Sequence, residues 1–124
     1  MVLDASALLA LINTEPGSDV VGAALPQAII GTVNLSEVVA KMIDIGVPEG
    51  EAWRGAADLV PVIVDFGPEL ARQCAKLRAA TRVHGLSFGD RACLALAQRL
   101  HLPVLTADRA WRKLSLGIDI RYVR

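Results

Sequence analysis

A chain of 124 residues has the size of one domain, and a composition that is 53% hydrophobic but only 4% aromatic describes a core of Ala, Val, Leu and Ile. That core excludes disorder and suits helices packed on a parallel sheet. Thirteen basic and thirteen acidic residues cancel, so no bulk positive field draws the chain to nucleic acid, and any such binding must come from a local basic patch.

Met1 to Asp4 carries no basic leader and no long apolar run, which predicts a cytoplasmic protein with no membrane segment. Cys74 and Cys93 fall on the apolar faces of predicted helices without metal-ligand spacing. They read as small buried hydrophobes of a reducing compartment.

The first strand is Met1 to Leu3, turned by Asp4-Ala5-Ser6 into a helix over Ala7 to Asn13, which Asp4 can cap. Glu15-Pro16-Gly17 breaks the chain, and Ser18 opens a short helix to Leu25. The second strand covers Ala28 to Thr32. Asn34-Leu35-Ser36-Glu37 then starts a helix reaching Ile45, with Leu35, Val38, Val39 and Met42 as its apolar stripe. Glu37 stands at the edge of that stripe, spaced to pair with Lys41.

A helix over Glu51 to Leu59 carries Trp53 as a packing residue. Val60 to Val64 is a third strand, apolar throughout. The next helix starts at Glu69 with Leu70, Cys74, Leu77 and Thr81 at core spacing, and His84-Gly85 closes it. Neither His84 nor His101 has a partner at metal-site spacing.

Ser87-Phe88-Gly89-Asp90 begins a helix with an apolar stripe running to Leu100, and Ser87 with Asp90 resembles a capping box. Asp90 shares a stripe with Cys93 and Ala97, so its carboxylate lies on the packed side, where an acid needs a partner or a cation. A buried strand follows at Pro103-Val104-Leu105 and stops at Thr106-Ala107-Asp108. Asp108 can cap a short helix over Arg109 to Leu114, and Ile118 to Val123 alternates as the last strand.

Each acid thus has a local explanation, and joint placement carries the argument. In a parallel sheet, Asp4 and Asp108 follow strands, while Glu37 and Asp90 open helices leaving the same edge. Ligands bind at that edge. Carboxylates gathered there raise one another's pKa, and a divalent cation is the simplest remedy. Oxygen donors without Cys or His favour Mg²⁺ or Mn²⁺, either alone or as a pair. Such ions activate water and stabilise the leaving oxygen in phosphodiester hydrolysis.

Taken together, Asp4-Ala5-Ser6, Asn34-Leu35-Ser36-Glu37, Ser87-Phe88-Gly89-Asp90 and Thr106-Ala107-Asp108 resemble the PIN-domain family over nearly the whole chain. Within that family the chain is similar to the toxin ribonucleases of VapBC-type toxin-antitoxin pairs. The resemblance implies a three-layer α/β/α sandwich with a central, mainly parallel sheet, as a single domain over residues 1–124. It assigns Asp4, Glu37, Asp90 and Asp108 to an acidic quartet holding Mg²⁺ or Mn²⁺, and Ser6 and Thr106 to hydroxyl positions that order the site.

The implied activity is endonucleolytic cleavage of RNA, either transfer or messenger RNA. The implied partners are a second copy of the chain and a cognate antitoxin that occludes the acidic pocket. Arg91, Arg109, Arg112 and Lys113 flank the two C-terminal acids and could hold phosphates.

Two rival classes fit less well. A phosphatase of the haloacid dehalogenase type wants a second Asp two residues after the first, where this chain has Ser6. A receiver-like binding module wants a Lys at the end of a late strand, where this chain has Thr106-Ala107-Asp108.

Overall fold

The computed structural model describes all 124 residues. Its five strands are β1 (Val2–Leu3), β2 (Ile29–Gly31), β3 (Val62–Val64), β4 (Val104–Thr106) and β5 (Ile120–Tyr122). They form one sheet in the order β3-β2-β1-β4-β5, with every neighbouring pair parallel.

The helices are α1 (Ala5–Ile12), α2 (Ser18–Ala24), α3 (Thr32–Asp44), α4 (Glu49–Ala57), α5 (Pro68–Lys76), α6 (Arg78–Thr81) and α7 (Phe88–Leu100). Short 3₁₀ turns cover Leu25–Gln27, Arg82–His84 and Arg109–Lys113. No helix is long and apolar enough to cross a membrane.

Alternation along the strands builds two cores. Leu3, Ile30 and Leu105 face α1 to α4, whereas Val2 and Val104 face α5 and α7. The expected three-layer α/β/α arrangement with a parallel sheet is the one observed, because strands apolar on both faces must be covered on both faces. Strand order reverses at β1, whose neighbours are β2 on one side and β4 on the other. A crevice therefore opens at the C-terminal ends of β1 and β4.

Three local expectations change. The helix starting near residue 69 keeps Leu70, Cys74, Leu77 and Thr81 buried, but it breaks at Leu77 into α5 and α6. Thr81 Oγ1 bonds back to the Leu77 carbonyl at 2.7 Å, a side-chain competition that bends helices.

The run Val60 to Val64 pairs only over β3, and because β3 is an edge strand, Val62 and Ile63 are 46% and 39% exposed. Trp53, expected to pack, is 47% exposed. Apolarity alone does not distinguish a central strand from an edge.

Candidate active site

Asp4 leaves the end of β1 into the crevice and is almost wholly buried. It occupies the N-cap position of α1, yet its side chain makes no capping bond. Instead Oδ2 accepts from Ser6 Oγ at 2.6 Å and from Thr106 Oγ1 at 3.0 Å.

Both hydroxyls are then used as acceptors by the loop after β4: Ala107 N–H donates to Ser6 Oγ, and Asp108 N–H to Thr106 Oγ1, each at 3.0 Å. A hydroxyl has one proton to give, and here both go to Asp4. The 3.2 Å approach of Ser6 to Thr106 is thus a close contact within a saturated network. Its effect is to tie β1, α1 and the 106–108 loop around one carboxylate oxygen and to leave Oδ1 for another ligand.

Glu37 enters from the second turn of α3, half-buried. It forms no ion pair with Lys41; the chain's ion pairs are Arg99–Glu69, Arg121–Asp119 and Arg124–Glu15. Glu37 Oε1 accepts from Asn34 Nδ2 at 3.3 Å, and the same amide donates to the Gly89 carbonyl at 3.0 Å. Asn34 is buried, so it clamps α3 to the first turn of α7. Asn34 lies in the Asn34-Leu35-Ser36-Glu37 motif, and its clamping role emerges in three dimensions. The signal was present, since a residue three positions before Glu37 shares its helix face.

Gly89 makes room for Glu37: a Cβ built there would stand 1.6 Å from Oε1.

Asp90 and Ser87 do form the reciprocal capping box, with Asp90 N–H on Ser87 Oγ at 3.2 Å and Ser87 N–H on Asp90 Oδ2 at 3.0 Å. Asp108 caps the turn Arg109–Lys113 through Ala110 N–H at 2.9 Å. Capping thus accounts for Asp90 and Asp108, and fails for Asp4 and Glu37.

Burial works against the charge of both Asp4 and Glu37. Burial raises the Asp4 pKa, opposed by the Ser6 bond and reinforced by Asp90. Glu37 is raised by burial and then by the charges of Asp4 and Asp90. The Cys93 thiol, wholly buried beneath them, is pushed well up by burial and by Asp4, Asp90 and Glu37 in turn. The Asp90 charge thus bears on both Asp4 and Glu37, and that of Asp4 on Glu37. Asp108 is joined to Asp4 through the Thr106 hydroxyl. No three His, Cys, Asp or Glu side chains form a ready-made metal cluster.

A stability consequence follows from the signs. Unfolded, both acids ionise in the ordinary range near pH 4; folded, they hold protons to higher pH. The folded state binds more protons in between, so this contribution is full below the ordinary range and is lost as pH rises through the raised values. In chelator, the melting temperature is expected to rise as the pH is lowered from neutral towards the ordinary carboxylate range, and Asp4→Asn to flatten the rise. Identical pH profiles of melting for the two proteins would refute this.

Of the four flanking cations, Arg109 Nε is bonded to the Arg124 carbonyl, and Arg91 acts on the Cys74 thiol of α5, lowering it against burial. Arg112 stacks over the Tyr122 ring, 5.1 Å from its centroid. Tyr122 is the register partner of Thr106, so this stacked cation lies on the site's own row of the sheet. Lys113 is exposed.

Comparison with known proteins identifies the family and the fold. Residues 1–116 match the PIN domain family. The chain is 30% identical over 121 residues to the Ribonuclease VapC of Mycolicibacterium smegmatis, covering 90% of this chain and 94% of that one. Among solved structures, the DNA-bound VapBC of Salmonella typhimurium superposes with a TM-score of 0.75 at 17% identity, covering 99% of this chain and 97% of that one. VapBC-5 of Mycobacterium tuberculosis gives 0.64 at 21% identity, covering 99% and 96%.

Proposed function

The chain belongs to the PIN-domain family, and from that membership we propose that it is a Mg²⁺- or Mn²⁺-dependent endoribonuclease, the toxin of a VapBC-type pair. The observation that carries the reading is the repulsion among Asp4, Glu37 and Asp90 at the switch point of the sheet, with none of them in an ion pair. Three carboxylates, one of them buried, suit a divalent cation as hard oxygen donors. A preformed cage is unnecessary, because magnesium keeps several waters and commonly takes one or two carboxylates.

Asp4, Glu37 and Asp90 are the residues that would hold the cation, with Asp108 as a neighbouring acid. When bound, the cation supplies positive charge for a phosphoryl oxygen and lowers the pKa of water.

The chain's own residues do the rest. Ser6 and Thr106 keep Asp4 oriented by occupying Oδ2, and Asn34 holds Glu37 against α7. Arg112, kept over Tyr122, is the cation best placed to hold a phosphate of the RNA beside the acids. A transfer or messenger RNA is the substrate, a second copy of the chain completes a homodimer, and an antitoxin closes the acidic crevice. The phosphatase alternative loses ground, since the Ser6 hydroxyl that stands where it needs an acid is committed to Asp4 and Ala107.

Incubation of the purified chain with total RNA tests the reading. Cleavage is expected with Mg²⁺ or Mn²⁺ and is expected to fall to background in EDTA. Equal cleavage with and without chelator would overturn metal dependence, and hydrolysis of a small phosphoester without RNA cleavage would favour the phosphatase.

A further inference from the structure

Phe88 is a large aromatic side chain that the fold leaves 51% exposed. It stands at the first position of α7, beside the residues that seat Glu37 and two residues before Asp90. Its ring does not float. Phe66 meets it edge-on, with centroids 5.6 Å apart and planes at 87°, and Phe66 N–H is bonded to Thr32 Oγ1 at 3.1 Å. The loop after β3 is thereby tied to the start of α3, and Phe88 is held at the mouth of the cleft between α3 and α7.

That cleft is shallow and open, offers about 560 Å³, and is lined by Val33, Glu37, Phe88, Gly89 and the hydroxyl residues Thr32, Ser36 and Ser87. It contains no Lys or Arg. Away from the cation proposed for Glu37, the cleft wall offers no positive group to hold a phosphate. A neutral planar group suits the lining better. Ser87 Oγ and Thr32 Oγ1 each accept a backbone N–H, so each keeps its own proton to donate, and exposed Ser36 adds another hydroxyl. Donors of this kind match ring nitrogens and carbonyls, and the Glu37 side of the cleft can accept from an exocyclic amine.

We propose that this cleft is a nucleobase subsite, in which one unpaired base of the RNA stacks on Phe88 and its edge faces the Thr32, Ser36 and Ser87 hydroxyls. The inference rests on the ribonuclease reading and adds to it the place where a base is held. Aromatic stacking tolerates any base, because every base has a π-face. The cleft therefore selects single-stranded RNA, whose base can leave the stack to reach Phe88.

The test uses Asp90→Asn protein with Mn²⁺, in which cleavage is expected to be lost, and a fluorescent twelve-nucleotide oligoadenylate. Adding Phe88→Ala is expected to weaken binding by about 5- to 100-fold, with Phe88→Trp retaining it and Phe88→Leu, which keeps bulk but has no π-face, resembling Ala. An abasic ribose-phosphate chain of the same length should bind all four forms alike. Quenching of 2-aminopurine in the oligonucleotide should disappear with Phe88→Ala.

Tight binding that ignores Phe88, or an abasic chain that responds to it equally, overturns the subsite while leaving the nuclease intact. Failure of the Asp90→Asn protein to bind RNA, together with failure of the wild-type chain with Mn²⁺ to bind or cut it, overturns both. A second protein chain whose capture needs Phe88, with RNA binding unchanged, would reassign the surface to protein docking.

Discussion

Asp4→Asn is expected to lower RNA cleavage by about 100-fold or more, while making the chelated protein more stable than the parent. The activity loss follows from position. Asp4 is the acid at the centre of the site, buried, with its neighbours' charges directed at it. Changes in the residues that merely orient a metal ligand typically cost about 10- to 100-fold in affinity or activity, and loss of a ligand's charge should cost at least that.

The stability gain has the same source. An amide is neutral, so it removes first the cost of burying a charge and then the repulsion with Asp90 and Glu37. Its oxygen can still accept from Ser6 and Thr106, so the network around Oδ2 survives. A rise in melting temperature of roughly 2–5 °C corresponds to about 1 kcal/mol for a domain of this size. Cleavage assays and thermal melts on one preparation check both halves. A destabilised and inactive variant would mean that Asp4 is structural.

Gly89→Ala is the second large effect, and its signature is activity lost with the fold kept. The added methyl would stand 1.6 Å from Glu37 Oε1 and 2.5 Å from Glu37 Cδ. These atoms are the far end of a flexible side chain, so the helix can stay where it is while Glu37 swings out. Alanine is the better helix residue by up to about 1 kcal/mol, which offsets the cost of moving Glu37.

The melting temperature should therefore change little, while cleavage falls about as far as it does in Glu37→Ala, on the order of 100-fold. The two changes remove one interaction, so the double variant should be no worse than either single one. Additive losses would show that Gly89 contributes something other than room for Glu37. Serine or valine at this position should behave like alanine.

Much of the site was legible because its residues are local to strand ends and helix starts. Asp4 and Asp108 follow runs too short and apolar to be anything but buried strands. Asp90 falls three residues after Ser87, and the capping box read from that spacing is present. Other readings failed for want of neighbours. Asp4 looked like a helix cap and is not one, because Ser6 and Thr106 claim its oxygen, and Thr106 lies 102 residues away. Glu37 looked like a surface partner of Lys41, whereas the contact that matters reaches Gly89 through Asn34, 55 residues on. Phe88 was passed over because exposure is not encoded in a single residue's type.

By itself, then, the sequence determined the alternation of short apolar strands with amphipathic helices, the burial on both faces of the sheet, and the four acids that punctuate them. Those are properties of period, propensity and capping within a dozen residues. Only the tertiary structure decided which acids repel one another, which cation stacks beside them, why residue 89 must lack a side chain, and that an aromatic ring stands at the cleft mouth. Charge, burial and steric exclusion act through space between segments far apart in the chain, and the parallel crossovers that bring β1 beside β4 bring those segments together.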